Sequence, residues 1–177
     1  GLALGIDAAA HRGALHAASV ACSEQPLGAP VGVIAAGLDI AYPRRHTDLH
    51  RDVARHGVLL SEVPLGVRPT SWRFPARNRI IAGLADAVVV VESRTVGGSI
   101  LTAGEALDRG VPVLAVPGHP GAPASAGTND LLFDGAALVR STADVLAHLG
   151  LAAPGPPPDE WAGQTPLDAT SQAVLAA

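Results

Sequence analysis

Four short, solidly apolar runs constrain this chain more than any other feature: Val31–Ala36, Val58–Leu60 with its flanks, Ala87–Val91 and Val111–Val116. None alternates apolar with polar residues, so none reads as a strand with one wet face. Each reads instead as a parallel strand covered on both sides. Between them lie segments of helical period, Asp7–Val20, Thr47–Arg55, Asn78–Leu84 and Ser99–Arg109. Regular strand-then-helix alternation implies right-handed crossovers and predicts an α/β fold built on a doubly wound, mainly parallel sheet. A weaker strand, Ala137–Val139, and a helix, Ser141–His148 with Gly150 as its stop signal, are expected to close the domain.

Composition sharpens this frame at three points. Only 3% of residues are aromatic, so the core must be built from Val, Leu, Ile and Ala. All twelve basic residues are Arg, which excludes a P-loop lysine and every Schiff-base mechanism. Cys22 is the only cysteine, so neither an intrachain disulfide nor a Cys-based zinc site is available, and it reads as a small buried hydrophobe. No apolar run nears the ~20 residues that span a bilayer, and no charged-then-apolar opening looks like a signal peptide; the default expectation is a cytoplasmic protein with no membrane partner.

Pro154-Gly155-Pro156-Pro157-Pro158 reads as a linker, giving an expected organisation of one domain over 1–150, a Pro-rich linker over 151–164 and a further helical segment over 165–177. Gly1-Leu2-Ala3-Leu4-Gly5 reads like the tail of a structural unit, and the expectation is a fragment.

The net charge of −4 argues against a nucleic-acid partner, but its distribution argues for one. Between Arg44 and Arg79 stand eight arginines against three acids (Asp48, Asp52, Glu62), a local balance of +5 that leaves −9 for the rest. A basic middle in an acidic chain points to a localised anion site.

Ligands of open parallel sheets bind beyond the carboxyl ends of the strands. There the chain carries Gly37-Leu38-Asp39 through Tyr42-Pro43-Arg44-Arg45, Ser61-Glu62-Val63-Pro64, Glu92 through Ser99, and Pro117-Gly118-His119-Pro120. Any one of these is what a strand-to-helix turn needs; four on one edge favour a binding site. The sharpest is Gly97-Gly98-Ser99 leading into Ile100-Leu101-Thr102-Ala103, where glycines admit a ligand to backbone N–H groups, Ser99 can cap the helix and the helix dipole completes a phosphate cradle. Turn glycines and a cap without a ligand explain the same residues equally well. The dinucleotide fingerprint is missing, so no NAD and no other cofactor is expected.

Trp72-Arg73-Phe74-Pro75-Ala76-Arg77-Asn78-Arg79 interleaves aromatics with arginines just before a helix, the mixture with which single-strand binders stack bases and hold phosphates. Read blandly, Trp72 and Phe74 are core anchors and the arginines line a solvated face. That fits Arg77 and Arg79 poorly if they sit at a helix N-terminus, where the dipole disfavours cations. His46 and His50 have i, i+4 spacing but no third ligand; they read as surface histidines, and no metal is expected. No nucleophile elbow and no motif-spaced carboxylate pair occurs, so nothing points to catalysis.

Taken in order, these residues carry a resemblance. Gly5-Ile6-Asp7-Ala8-Ala9-Ala10-His11-Arg12-Gly13-Ala14-Leu15, Gly37-Leu38-Asp39 with Tyr42-Pro43, Ser61-Glu62-x-Pro64-x-Gly66, Phe74-Pro75-x-Arg77-Asn78-Arg79-Ile80-Ile81-Ala82-Gly83-Leu84, Gly98-Ser99-x-x-Thr102-Ala103 and Ala115-Val116-Pro117-Gly118 resemble the motifs of the DprA/Smf family of DNA-processing proteins over residues 1–150. The resemblance implies an extended Rossmann-like domain that binds single-stranded DNA without being an enzyme, protects incoming DNA in natural transformation, loads the RecA recombinase and forms a homodimer. It implies DNA contacts at Arg44, Arg45, Trp72, Phe74, Arg77, Asn78, Arg79, Gly97, Gly98, Ser99 and Thr102, and a truncated winged helix over 165–177. It also implies a Gly-Ser-Arg turn that would lie upstream of Gly1, and Gly97 stands where Ser is common. Two other readings compete: a nucleoside-monophosphate N-glycosidase with Glu105 as its acid, whose glycine-rich signature is not present here, and a nucleotide sensor or protein-interaction module that does not bind DNA.

Overall fold

The computed structural model describes residues 1–20 and 28–151. Its elements run α1 (Ile6–Val20), β1 (Val31–Val33), a 3-10 turn (Arg44–His46), α2 (Thr47–His56), β2 (Val58–Leu60), α3 (Arg73–Gly83), β3 (Val88–Val90), α4 (Gly98–Leu107), β4 (Val113–Ala115), α5 (Ala126–Phe133), β5 (Ala137–Leu138) and α6 (Thr142–His148). The fold is α/β with parallel strands, as the apolar runs predict. The readings placed on Cys22, on the linker from 152 onward and on 165–177 lie outside the described residues.

The chain divides into Gly1–Arg140 and a second unit beginning at Ser141. In the latter, α6 is opened by Ser141, whose N–H donates to the Asp144 carboxylate at 3.1 Å.

Among the described residues, the first unit holds two parallel ladders. In one, β1 lies beside β2 with Val31 opposite Val58 and Val33 opposite Leu60. In the other the order is β3-β4-β5, with Val88 opposite Val113 and Ala115 opposite Leu138. Among the described residues, only β4, flanked on both sides, is a strand buried at every position. Val89 of the outer strand β3 keeps 36% of its surface exposed, and Val31 and Val58 open their strands even more exposed.

Each ladder has its own core. Leu2, Ala8, Ile34, Leu49 and Val53 pack against the first, and Ala82, Val90, Ala103, Ala106 and Val113 against the second. Three of the latter five are alanines, which lets α3 and α4 lie close to each other and to β3.

Two elements differ from the sequence expectation. Helix α3 starts at Arg73, five residues before Asn78, because Pro75 sits in the first helical turn, where its missing N–H costs no intrahelical bond. Arg77 and Arg79 therefore lie inside the helix, and the argument that they oppose its dipole falls. Helix α5 has no counterpart in the sequence reading because Pro117–Ala126 is dense in Gly, Pro and Ala, and its bulky residues form no stripe: Phe133 is 92% exposed.

Candidate nucleic-acid interface

The strand ends carry the polar loops where the sequence rule puts them. Ser93, three residues past the end of β3, is buried. It accepts a hydrogen bond from the Ser99 hydroxyl at 2.7 Å and donates its own to the Arg94 carbonyl at 2.9 Å. The Gly127 N–H donates to the Ser93 carbonyl at 2.8 Å, tying this loop to the start of α5.

Gly97 is extended and serves as the N-cap of α4, with no side chain capping it. The capping role expected of Ser99 is thereby corrected: the helix begins one residue earlier, and the Ser99 hydroxyl is turned to Ser93. The leading N–H groups of α4 have no acceptor within the helix and stand at the positive end of its dipole. That is the electrostatic requirement of a phosphate cradle.

Helix α3 holds the turn that opens α4. Asn78 is buried, and its side-chain amide donates to the Gly98 carbonyl at 3.4 Å; the Thr102 hydroxyl donates to the same oxygen at 3.1 Å. Phe74 packs against Tyr42, ring centroids 5.5 Å apart and tilted 41°. Arg77 is half-buried and donates to the Val33 carbonyl, so its guanidinium joins α3 to β1. Its Nε is buried without a partner, and burial holds its pKa below the ordinary arginine value.

A cavity of about 810 Å³ runs along the outer edge of β3, lined by Phe74, Arg77, Asn78, Gly98, Ser99 and Thr102 among others. It thus gathers six of the eleven residues singled out as DNA contacts. The other five do not line it. Gly97 caps the helix at its lip. Trp72 lines a separate pocket at the ends of β1 and β2. Arg79 is exposed and ion-paired with Glu62. Arg44 and Arg45 are exposed in the 3-10 turn, and Arg45 borders a different cavity with Arg12, Asp48 and Asp52. The basic stretch is contiguous in sequence and dispersed in space.

The loops after β1 and β2 hold each other on the same edge. Asp39 accepts the Gly66 N–H on both carboxylate oxygens, at 2.9 and 3.0 Å, and the Ser61 hydroxyl donates to the Ala36 carbonyl at 2.7 Å. Sequence reasoning assigned no role to Ser93 or Asp39, although both stand in the polar runs after strands that it flagged.

His46 is not a surface histidine: it is 7% exposed and its Nδ1–H donates to the Leu2 carbonyl at 2.9 Å, while His11 Nε2–H donates to the Gly1 carbonyl at 2.8 Å. Glu105 pairs with Arg109 and is not among the residues lining the cavity. Among the described residues no group of three or more His, Cys, Asp and Glu is placed to hold a metal, and no helix is long and apolar enough to cross a membrane.

Residues 1–150 match the family model of DNA recombination-mediator protein A. The chain is 42% identical over 149 residues to the DNA processing protein DprA of Bacillus subtilis, covering 84% of this chain and 47% of that protein. It is 42% identical over 150 residues to the protein Smf of Escherichia coli, covering 84% and 38%. Among solved structures it resembles DprA of Streptococcus pneumoniae (TM-score 0.75, 41% identity, 83% of this chain and 49% of that one). It also resembles DprA of Helicobacter pylori, solved for its single-stranded DNA binding mode (TM-score 0.69, 28% identity, 84% and 63%). The chain spans less than half the length of these two curated relatives.

Proposed function

This chain belongs to the DNA recombination-mediator protein A family, and on that premise we propose that it binds single-stranded DNA, with the strand's phosphates received at the α4 N-terminus. The observation that carries the reading is the cradle itself. Helix α4 opens on Gly97-Gly98 with no side-chain cap, and the Gly98 carbonyl is held by both Asn78 and Thr102. A cap left to a ligand and a turn fixed from two sides is a preorganised anion site. Phe74 lines the same cavity and offers a surface for a base, the second requirement of a single-strand binder.

In the intact protein this activity serves recombination by protecting incoming single strands and loading RecA onto them during natural transformation, with the protein acting as a homodimer in the cytoplasm and no chemical step on the DNA. The support is the resemblance of residues 1–150 to DprA proteins and the position of Glu105 outside the cavity, which leaves the N-glycosidase reading without its acid.

Gly98→Asp tests the cradle. A Cβ at Gly98 meets nothing within 4 Å, and an acidic residue in a first helical turn is favourable, so the variant folds normally. Its carboxylate, negative like the phosphate it displaces, fills the anion site and repels the strand. Single-strand affinity is expected to fall by about tenfold or more, the scale of one charge-assisted hydrogen bond. Affinity within twofold of the parent would remove α4 from the DNA site.

A further inference from the structure

Beside the cradle, and distinct from it, a smaller pocket of about 210 Å³ opens at the carboxyl ends of β1 and β2. Its walls are aliphatic, from Ile34, Val63, Pro64 and Ile80, and Trp72 lines it while staying 66% exposed. An indole this exposed on a protein with so few aromatics is not a core anchor. It is also held in place: the Arg73 guanidinium lies 5.2 Å from its ring centroid and is itself fixed by a 2.8 Å hydrogen bond to the Arg68 carbonyl. The guanidinium covers one face of an indole that otherwise stays largely exposed.

The polar part of the pocket is an acceptor. Glu62 stands in its lining, its Oε1 engaged by Arg79. That pair sets the carboxylate's position and leaves Oε2 to accept a hydrogen bond. A phosphate suits this pocket poorly, because the Glu62 carboxylate in its lining repels it. A planar apolar ring with a hydrogen-bond donor on its edge suits it on every count. Arg77 lines this pocket and the cavity of the cradle alike, so the two are neighbours along one strand path.

We propose that this pocket receives one base of the bound strand, selecting bases with an exocyclic amino group: the base stacks on Trp72 and donates its amino hydrogen to Glu62. The proposal rests on the single-strand reading and adds to it a composition preference. Cytosine presents an N4 amino donor where thymine presents the O4 acceptor, which faces the carboxylate unfavourably.

The test measures the intact protein's affinity for labelled oligo-dC and oligo-dT of equal length at pH 8, for the parent, Glu62→Gln and Trp72→Ala. The parent is expected to prefer dC by about fivefold or more, the lower end of base discrimination by one edge contact. Glu62→Gln, which can offer either a donor or an acceptor, brings the ratio close to one. Trp72→Ala weakens dC binding by about fivefold or more, the scale of a single base stack. The dC/dT ratio is internal to each variant, so partial destabilisation lowers both affinities and leaves the ratio readable. A parent ratio near one, or a preference undiminished in Glu62→Gln, overturns the pocket assignment while strand binding stands. Binding of neither oligonucleotide by the parent overturns the single-strand reading and the pocket together.

Discussion

Gly127 is a helix glycine that the site needs. It is the second residue of α5, with an N–H that donates to Ser93 in the loop leading to the cradle. A Cβ built there meets the Arg94 carbonyl oxygen at 2.3 Å, its carbon at 2.7 Å and Ile100 Cδ1 at 3.0 Å. Two of these three atoms are backbone and cannot swing aside, so Gly127→Ala must push the loop off α5. Overpacking against backbone this close falls in the upper part of the usual range, about 2–3 kcal/mol, offset by the ~1 kcal/mol at most that alanine gains over glycine in a helix. The net destabilisation is therefore about 1–2 kcal/mol, a fall in Tm of about 3–8 °C for a unit of this size. Gly104 is the matched control, since it lies inside α4 and a Cβ there meets nothing within 4 Å. Gly104→Ala keeps the propensity gain without the clash and is expected to raise Tm by a few degrees, about 2–4 °C per kcal/mol. Circular dichroism melts at 222 nm read both variants. Shifts of the same sign, or a Gly127→Ala protein as stable as the parent, would refute the steric argument.

Gly66 has φ +77°, and its N–H sits in the fork of the Asp39 carboxylate. Gly66→Ala is expected to cost about 1–2 kcal/mol from the left-handed backbone alone, seen as a lower urea midpoint, and a midpoint equal to the parent's would contradict it. Burial holds His11 and His50 below the ordinary histidine pKa. Between those depressed values and about pH 6.5 the unfolded chain therefore binds protons that the folded one does not. Stability is accordingly full above about pH 6.5 and declines as pH falls through that window. Urea midpoints at pH 7.5 and pH 5.5 check this; the second is expected lower, with a smaller drop in His11→Gln, and a midpoint that rose on acidification would reverse the sign.

Much of the fold was legible because apolar runs report burial directly, and parallel strands are the elements buried most completely. The same signal misplaces ends. Ile34 to Ala36 are more deeply buried than Val31 at the head of the strand, yet the ladder stops at Val33, since burial and pairing are different properties. Pro75 reads in sequence as punctuation before a helix and is in fact a residue of its first turn. In the candidate site, Gly98, Ser99 and Thr102 with Asn78 were legible because turn chemistry and helix spacing are local. What the arginines do was not. Arg77 turns inward to Val33, Arg79 to Glu62, and Arg45 to another cavity, because the direction of a long side chain is decided by partners distant in sequence. His46 shows the same limit: the Leu2 carbonyl that its buried imidazole meets is 44 residues away.

Single-strand binding is the claim on which the rest depends, and fluorescence anisotropy of a labelled ~20-nucleotide strand tests it most directly, with the matching duplex as competitor and salt varied from about 50 to 200 mM. The intact protein is expected to bind the single strand, to resist competition by the duplex, and to lose affinity steeply as salt rises because phosphate contacts release counterions. Binding indifferent to salt, or displaced by duplex as readily as by single strand, would contradict the account.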